Sequence, residues 1–196
     1  MADEVKPYPL ITEAIRQDQV EQVANLFDRY PDMEGLRVPA FGTWLHYAAA
    51  HGSAAMLAWL VARGFDPCSI GGPEGETPVE MAAAKGKHAN VSFLLDLGVP
   101  LDTSTAIRNP LFSSVLSRSL EVSRLLLEAG IDTSPRYTLA SSTQTLDAVA
   151  FAMLHGARDI ARMIALHSNG GNARLAEQAM ANGLDTAMAI TSQSGT

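Results

Sequence analysis

The residues of this 196-residue chain that could do chemistry are few: five histidines, one cysteine and a glycine-rich stretch, SIGGPEGE, at positions 69–76. The stretch has three glycines but lacks the Lys-Ser/Thr pair and the preceding strand of a phosphate-cradling loop. It reads instead as a turn, where glycine and proline supply the backbone geometry. The histidines stand at 46, 51, 88, 155 and 167, and no HxxxH or CxxC spacing brings metal ligands onto one face. Cys68 has no sequence neighbour that would depress a thiol pKa, so it reads as a plain thiol rather than a nucleophile. Being alone, it forms no internal disulfide. Arg158, Asp159, Arg162 and His167 recur at helical spacing and read as an exposed charged face. Asn90-Val91-Ser92 matches a glycosylation acceptor but falls inside an expected helix and is discounted. No catalytic residue, cofactor or metal is expected.

The elements that must carry these residues follow from composition. Hydrophobic residues make up 47% of the chain and charged residues 18%, which excludes a disordered polypeptide. The 30 alanines outnumber the 12 Phe, Tyr and Trp residues, so close packing of helices through small side chains is expected. A net charge of -7 argues against binding to nucleic acid, whose affinity comes from clustered Lys and Arg. From Val38 to Ala62 there is no charged residue, a length that could span a bilayer. Gly42, Thr43, His46, His51, Gly52 and Ser53 interrupt it, and two helices with a turn at Gly52-Ser53 are the better reading, so no membrane association is expected. The opening MADEVKPYPL has two acids, two prolines and no apolar core, unlike a secretory signal. A cytoplasmic location is expected.

A period organises the middle of the chain. TWLHYAAAHG at 43–52 and TPVEMAAAKG at 77–86 repeat at a spacing of 34, matching Thr43 with Thr77, Ala48 with Ala82, Ala49 with Ala83 and Gly52 with Gly86. Gly64 recurs as Gly98 after 34 residues and as Gly130 after 32 more. Threonine before a helix accepts hydrogen bonds from unpaired backbone N–H groups, and proline, as at Pro78 and Pro110, suits the first turn. Alanines let neighbouring helices approach. Glycine after a helix supplies a left-handed residue, expected at Gly52 and Gly86 after the first helix and at Gly64, Gly98 and Gly130 after the second. The unit is helix, turn, helix, loop.

These residues resemble the ankyrin repeat, whose hallmark is a T-P-L-H-x-A-A-x-x-G-H run, an apolar helix and then G-A-D. Residues 38–71 keep Thr43, Leu45, His46, Ala48, Ala49, Gly52, Leu60, Gly64 and Asp66, with Trp44 in the proline position. Residues 72–104 keep Gly75, Thr77, Pro78, Ala82, Ala83, Gly86, His88, Leu94, Leu95, Gly98 and Asp102, with Glu80 in the histidine position. Residues 105–137 fit through Pro110, Leu111, Val122, Leu125, Leu126, Leu127, Gly130 and Asp132, with Asn109 for threonine and Arg118 for the middle glycine. Residues 143–172 fit through Ala152, Gly156, Ile160, Met163 and Ile164, after an insertion of about seven residues around PRYTLASST. Residues 10–37 align in phase, with Asp18 on Gly52, as a polar capping repeat. A capping helix at 173–190 and a frayed tail at 191–196 complete the chain. The resemblance implies an all-α ankyrin-repeat solenoid of about five helix-turn-helix units with short hairpin-like loops.

It also implies a surface, made of the hairpin tips and the outer side of the first helices, that meets another protein. The hairpin candidates are Arg37, Pro39, Phe41, Glu74, Glu76, Arg108 and Gln144; the first-helix candidates are Tyr47, His51, Lys85, Ser117 and His155. Arg37, Phe41, Tyr47 and Arg108 lead, because aromatic and Arg side chains anchor interfaces. In the insertion, Arg136 and Tyr137 join them, since irregular loops on rigid scaffolds often carry function. His46 is expected to bond backbone, as in the family, and Trp44 and Trp59 to lie in the core. His51 and His155 are three repeats apart, about 30 Å if helices stack at about 10 Å, and cannot share a metal.

The function these features imply is non-catalytic protein binding. A short acidic chain that is nearly all repeat resembles bacterial ankyrin proteins that confer immunity to toxins, with a basic toxin or effector as partner and a monomeric free state. The alternative is a general scaffold or stress-response protein that supports an enzyme or complex.

Overall fold

The structure, a computed structural model, describes residues 7–138 and 145–193. The remaining residues lie outside that description, among them 139–143 of the insertion, Gln144 and the end of the tail. The described residues are mostly helical, with little strand, and divide into two compact units, one ending at Pro100 and one beginning at Leu101.

The first unit holds three helix pairs: α1 (Pro7–Arg16) with α2 (Val20–Arg29), α3 (Trp44–His51) with α4 (Ala54–Ala62), and α5 (Pro78–Ala84) with α6 (His88–Asp96). The first helices pack side by side in the order α1, α3, α5, and α4 packs between α2 and α6. In the second unit α7 (Pro110–Leu116) pairs with α8 (Leu120–Glu128) and α9 (Ala148–Leu154) with α10 (Arg158–Ser168). A two-stranded ribbon of β1 (Tyr137–Thr138) and β2 (Thr145–Leu146) precedes α9, with Tyr137 opposite Leu146. The long α11 (Ala173–Gln193) lies against α9 and α10. At Gly183 it comes so close that a Cβ would stand 3.2 Å from the Ala150 nitrogen.

Apart from α11 the α-helices have 7 to 11 residues, too short to persist alone in water, so their stability comes from packing. Ala48, Ala49, Ala82 and Ala83 are buried where α3 meets α5, while Leu57, Leu60, Val91 and Leu94 fill the space behind them. Trp44 is fully buried and its indole N–H donates to the Met33 carbonyl at 2.6 Å. Trp59 was expected in the core as well. It is only half-buried, because one face packs 6.0 Å from Phe27 while Arg63 lies over the ring.

Short helices leave a large share of their backbone groups unpaired, and side chains at equivalent positions supply the partners. At α3 the Thr43 N–H donates to His46 Nδ1 at 3.3 Å. A nitrogen that accepts carries no proton, so the proton sits on Nε2, which lies 3.0 Å from the Ser69 carbonyl and 3.2 Å from that of Glu76. One imidazole thereby joins the start of α3 to both sides of the following hairpin. At α5 the same position is Glu80, whose carboxylate accepts the Thr77 N–H at 2.6 Å. At α7 and α9 the residue before the helix accepts a backbone N–H: Asn109 from Leu111 and Asp147 from Ala150, both at 2.9 Å.

The turns between paired helices correct one expectation. Gly86 and Gly156 are left-handed, with φ of 65° and 69°, and so are Asp18 and Arg118 at the same place, at 55° and 54°. Gly52 is not: its φ is -88°. Glycine is needed there for space, since a Cβ would stand 3.1 Å from the Ala48 oxygen and 3.3 Å from Ile15 Cγ2. Behind this turn Asn90, 2% exposed, donates from α6 to the Ala49 carbonyl at 3.0 Å and the Gly52 carbonyl at 3.1 Å. The amide of the acceptor-like triplet is thus internal and engaged. Asn90→Ala leaves these carbonyls unpaired and is expected to cost about 1–3 kcal/mol in urea unfolding.

Burial depresses the His46 pKa below its ordinary value of 6.5, although the carbonyls of Ser69 and Glu76 oppose this. The unfolded chain therefore takes up the proton first. The resulting contribution to stability is complete above about pH 6.5 and is lost as pH falls from there toward the folded-state value. Urea midpoints measured across this range are expected to fall with pH, and His46→Ala to flatten the dependence while lowering stability at pH 8.

Candidate functional site

The hairpin tips and the outer side of the first helices carry the sequence-nominated residues, and the two units differ in what they do with them. In the first unit Val38 bridges Gly42, holding a tight turn on which Arg37 and Pro39 are exposed. The Gly72 N–H donates to the Phe41 carbonyl at 2.6 Å, so this turn is tied to the next one. Phe41 is thereby set over the first helix, with its ring edge-on to Tyr47 at 5.1 Å and to His51 at 5.3 Å. Tyr47 and His51 are 4.7 Å apart, one helical turn from each other on α3.

Tyr47 departs from the expectation of an exposed anchor: it is 3% exposed. Phe41 and His51 pack on it, Trp44 meets it edge-on at 6.3 Å, and the Arg16 guanidinium lies 5.7 Å from its ring centre. Burial raises its phenol pKa, opposed by Arg16. Phe41 and His51 are half-buried and remain available at the surface. Burial lowers the His51 pKa, and Arg16, Lys85 and Lys87 lower it further.

Glu74 is exposed, whereas Glu76 folds back so that its carboxylate accepts the Glu74 N–H at 3.0 Å. The Glu76 carbonyl accepts from Gly71 at 2.8 Å as well as from His46. Glu76 therefore shapes the hairpin. Lys85 is exposed at the end of α5, where its charge complements the helix dipole.

In the second unit most nominated residues are engaged within the protein. Arg108, half-buried, forms an ion pair with Asp102. The Tyr137 hydroxyl donates to the Thr103 carbonyl at 2.5 Å and accepts from Asn109 Nδ2 at 3.1 Å. Its ring meets Phe112 edge-on at 5.0 Å. Phe112 occupies the position of His46 and has no polar atom, so Tyr137 reaches in from the following loop to bond the start of α7. Arg136 stands 3.7 Å from Asp147 and is otherwise exposed. His155 is exposed at the end of α9, 4.4 Å from the Phe151 ring, and its pKa is lowered by burial and by Arg118. Ser117 is half-buried.

The structure thus brings Phe41, Tyr47, His51 and Lys85 into one neighbourhood. It adds Arg16 and Lys87, which the sequence reading did not nominate. The 34-residue phase was their signal: Arg16 aligns with Ala50 in the last turn of the first helix, and Lys87 with Ser53 at the joint that follows it. Among the described residues no three His, Cys, Asp or Glu side chains converge as metal ligands. None of the described helices is long and apolar enough to cross a membrane.

Tyr137→Phe keeps the ring and removes the hydroxyl that pairs with Thr103 and Asn109. Chemical unfolding is expected to show a loss of about 1–3 kcal/mol. Arg136→Ala, which breaks only a long exposed contact, should stay within about 0.5 kcal/mol of the parent.

Residues 45–137 match the family model for ankyrin repeats in three copies. No curated protein matches the chain. Among solved structures, the human ASB11 ankyrin repeat domain is similar, with a TM-score of 0.64 and 19% identity. The match covers 79% of this chain and 66% of that one, just under two thirds of its length. At that identity the likeness speaks for the fold.

Proposed function

Since the chain is an ankyrin-repeat protein with an all-α fold, we propose that it is a non-catalytic immunity or inhibitor protein that binds and neutralises a cognate toxin or effector. Ankyrin repeats mediate binding to other proteins, and that broader role is the foundation of the reading. The observation that carries it is the contrast on the first-helix surface. Groups that could do chemistry, such as His46 and Glu80, are buried and bonded to backbone, while Phe41, His51 and Lys85 stay at the surface. Side chains of that kind, on a framework held by caps and packing, suit recognition with little reorganisation.

The net charge of -7 supports a basic toxin or effector, because the summed charge of a protein governs how an oppositely charged body is steered toward it. The reading takes the free protein as a monomer in the cytoplasm. Residues 10–37 and 173–190 serve it as end caps, and Arg37, Phe41, Tyr47, His51, Glu74, Glu76, Lys85, Arg108, Tyr137 and His155 mark the surface concerned. In the first unit Tyr47 and Glu76 would support that surface from beneath while Arg37, Phe41, His51 and Lys85 meet the partner; in the second Tyr137 would support and His155 meet it.

Co-expression with the product of the neighbouring gene tests the reading. The expected result is a stoichiometric complex and protection of cells from that product, lost when Phe41 is changed to Ala. A complex that leaves the partner's activity intact would favour the scaffold role. Neither complex nor protection would remove the neutralisation reading.

A further inference from the structure

The first unit is acidic as a whole, with 13 Asp and Glu against 7 Lys and Arg up to Pro100, yet the neighbourhood of His51 has the opposite sign. Three cations, Arg16, Lys85 and Lys87, act on the His51 ring with no carboxylate among the charges that shift it, while on the adjoining Tyr47 ring Glu13 acts against Arg16. None of the three forms an ion pair among the described residues. Arg63 in the same unit, by contrast, is held by Asp28 at 2.8 Å and Glu34 at 2.6 Å. Arg16 closes α1 and Lys85 follows α5, so the helix dipoles explain why cations are tolerated there. They do not neutralise them. Beside these charges lies the Phe41–Tyr47–His51 ring cluster, with Phe41 and His51 reaching the surface.

Cations outside any ion pair among the described residues, bordering half-exposed rings, form a surface complementary to carboxylates carried on a partly apolar segment. We propose that this surface of the first unit, formed by Arg16, Phe41, His51, Lys85 and Lys87, docks an acidic segment of the protein partner, with carboxylates on the three cations and apolar side chains against Phe41. The inference rests on the reading that the chain binds a protein, and it assigns the chemistry of what is bound. It is compatible with a partner that is basic overall. Steering acts through the summed charge, whereas charges beyond about 8 Å are largely screened at physiological ionic strength, so a docked segment meets the local sign. Single-stranded nucleic acid would also meet cations and rings. The acidic body of the unit disfavours a chain of phosphates, and a short run of carboxylates is the better fit.

The test uses the full chain and three fluorescein-labelled probes: a peptide of repeated Glu-Glu-Tyr, one of repeated Lys-Lys-Tyr, and an oligothymidine. The acidic peptide is expected to bind at least tenfold more tightly than the other two, with affinity falling as salt is raised. Its amide shift changes in NMR spectra should centre on Phe41, His51, Lys85 and Lys87. Lys85→Glu with Lys87→Glu should weaken it at least tenfold, and Lys85→Gln with Lys87→Gln by an intermediate factor, with circular dichroism verifying the helices. Arg29→Glu, on α2 beside Tyr30, should change it less than twofold. Preference for either other probe, or acidic-peptide binding that ignores the Lys85 and Lys87 changes, overturns the proposal. If the chain neutralises its partner but the acidic peptide fails to bind, the docking proposal falls and the neutralisation reading stands. If the acidic peptide binds as stated and no partner is neutralised, that reading falls alone.

Discussion

The structure depends on pairing the backbone groups at the ends of helices that are too short to hold themselves together. A helix of seven or eight residues has at least as many unpaired N–H and C=O groups as paired ones. Every such end that faces the interior needs a partner. His46 shows how much one side chain can do: a single neutral tautomer accepts from the Thr43 N–H and donates to carbonyls on the following hairpin. Helix start and hairpin are then one object. Asn90 performs the matching task at the other end of α3, reaching from the next helix pair to the Ala49 and Gly52 carbonyls.

Where the repeat loses its histidine, different chemistry takes the post. Glu80 caps the start of α5 with a carboxylate, and at α7 the hydroxyl of Tyr137, whose ring meets Phe112 edge to face, bonds both Asn109 and the Thr103 carbonyl. The constraint persists while the residue type changes, because what must be satisfied is backbone. This also explains why Tyr137, at the start of a loop lengthened beyond the repeat, is a tether rather than a free aromatic. The residues left at the surface, Phe41 and His51 with the cations around them, are presented by elements already locked in place.

The repeat itself was legible in the sequence because threonine, alanine and glycine at a 34-residue spacing report caps, close packing and turns directly. Exposure was less legible. Tyr47 occupies an outward position on its helix, and only the course of the 36–42 hairpin lays Phe41 over it. Gly52 looked like a left-handed turn residue; the approach of Ile15 from the preceding pair makes it a matter of space. The cationic neighbourhood was hidden for a related reason. Arg16 ends the first helix of the first pair while Lys85 and Lys87 lie in the turn of the third, and they come together only because both pairs pack on α3, so a net charge counted along the chain reports the opposite sign.

The most direct measurement is the protonation state of His46 followed by long-range nitrogen–proton NMR of the imidazoles. The account predicts a neutral ring with its proton on Nε2, persisting to a pH below 6.5 while the fold remains intact. A proton on Nδ1, or an ordinary titration at about 6.5, would contradict the tie between the start of α3 and its hairpin on which the scaffold is built.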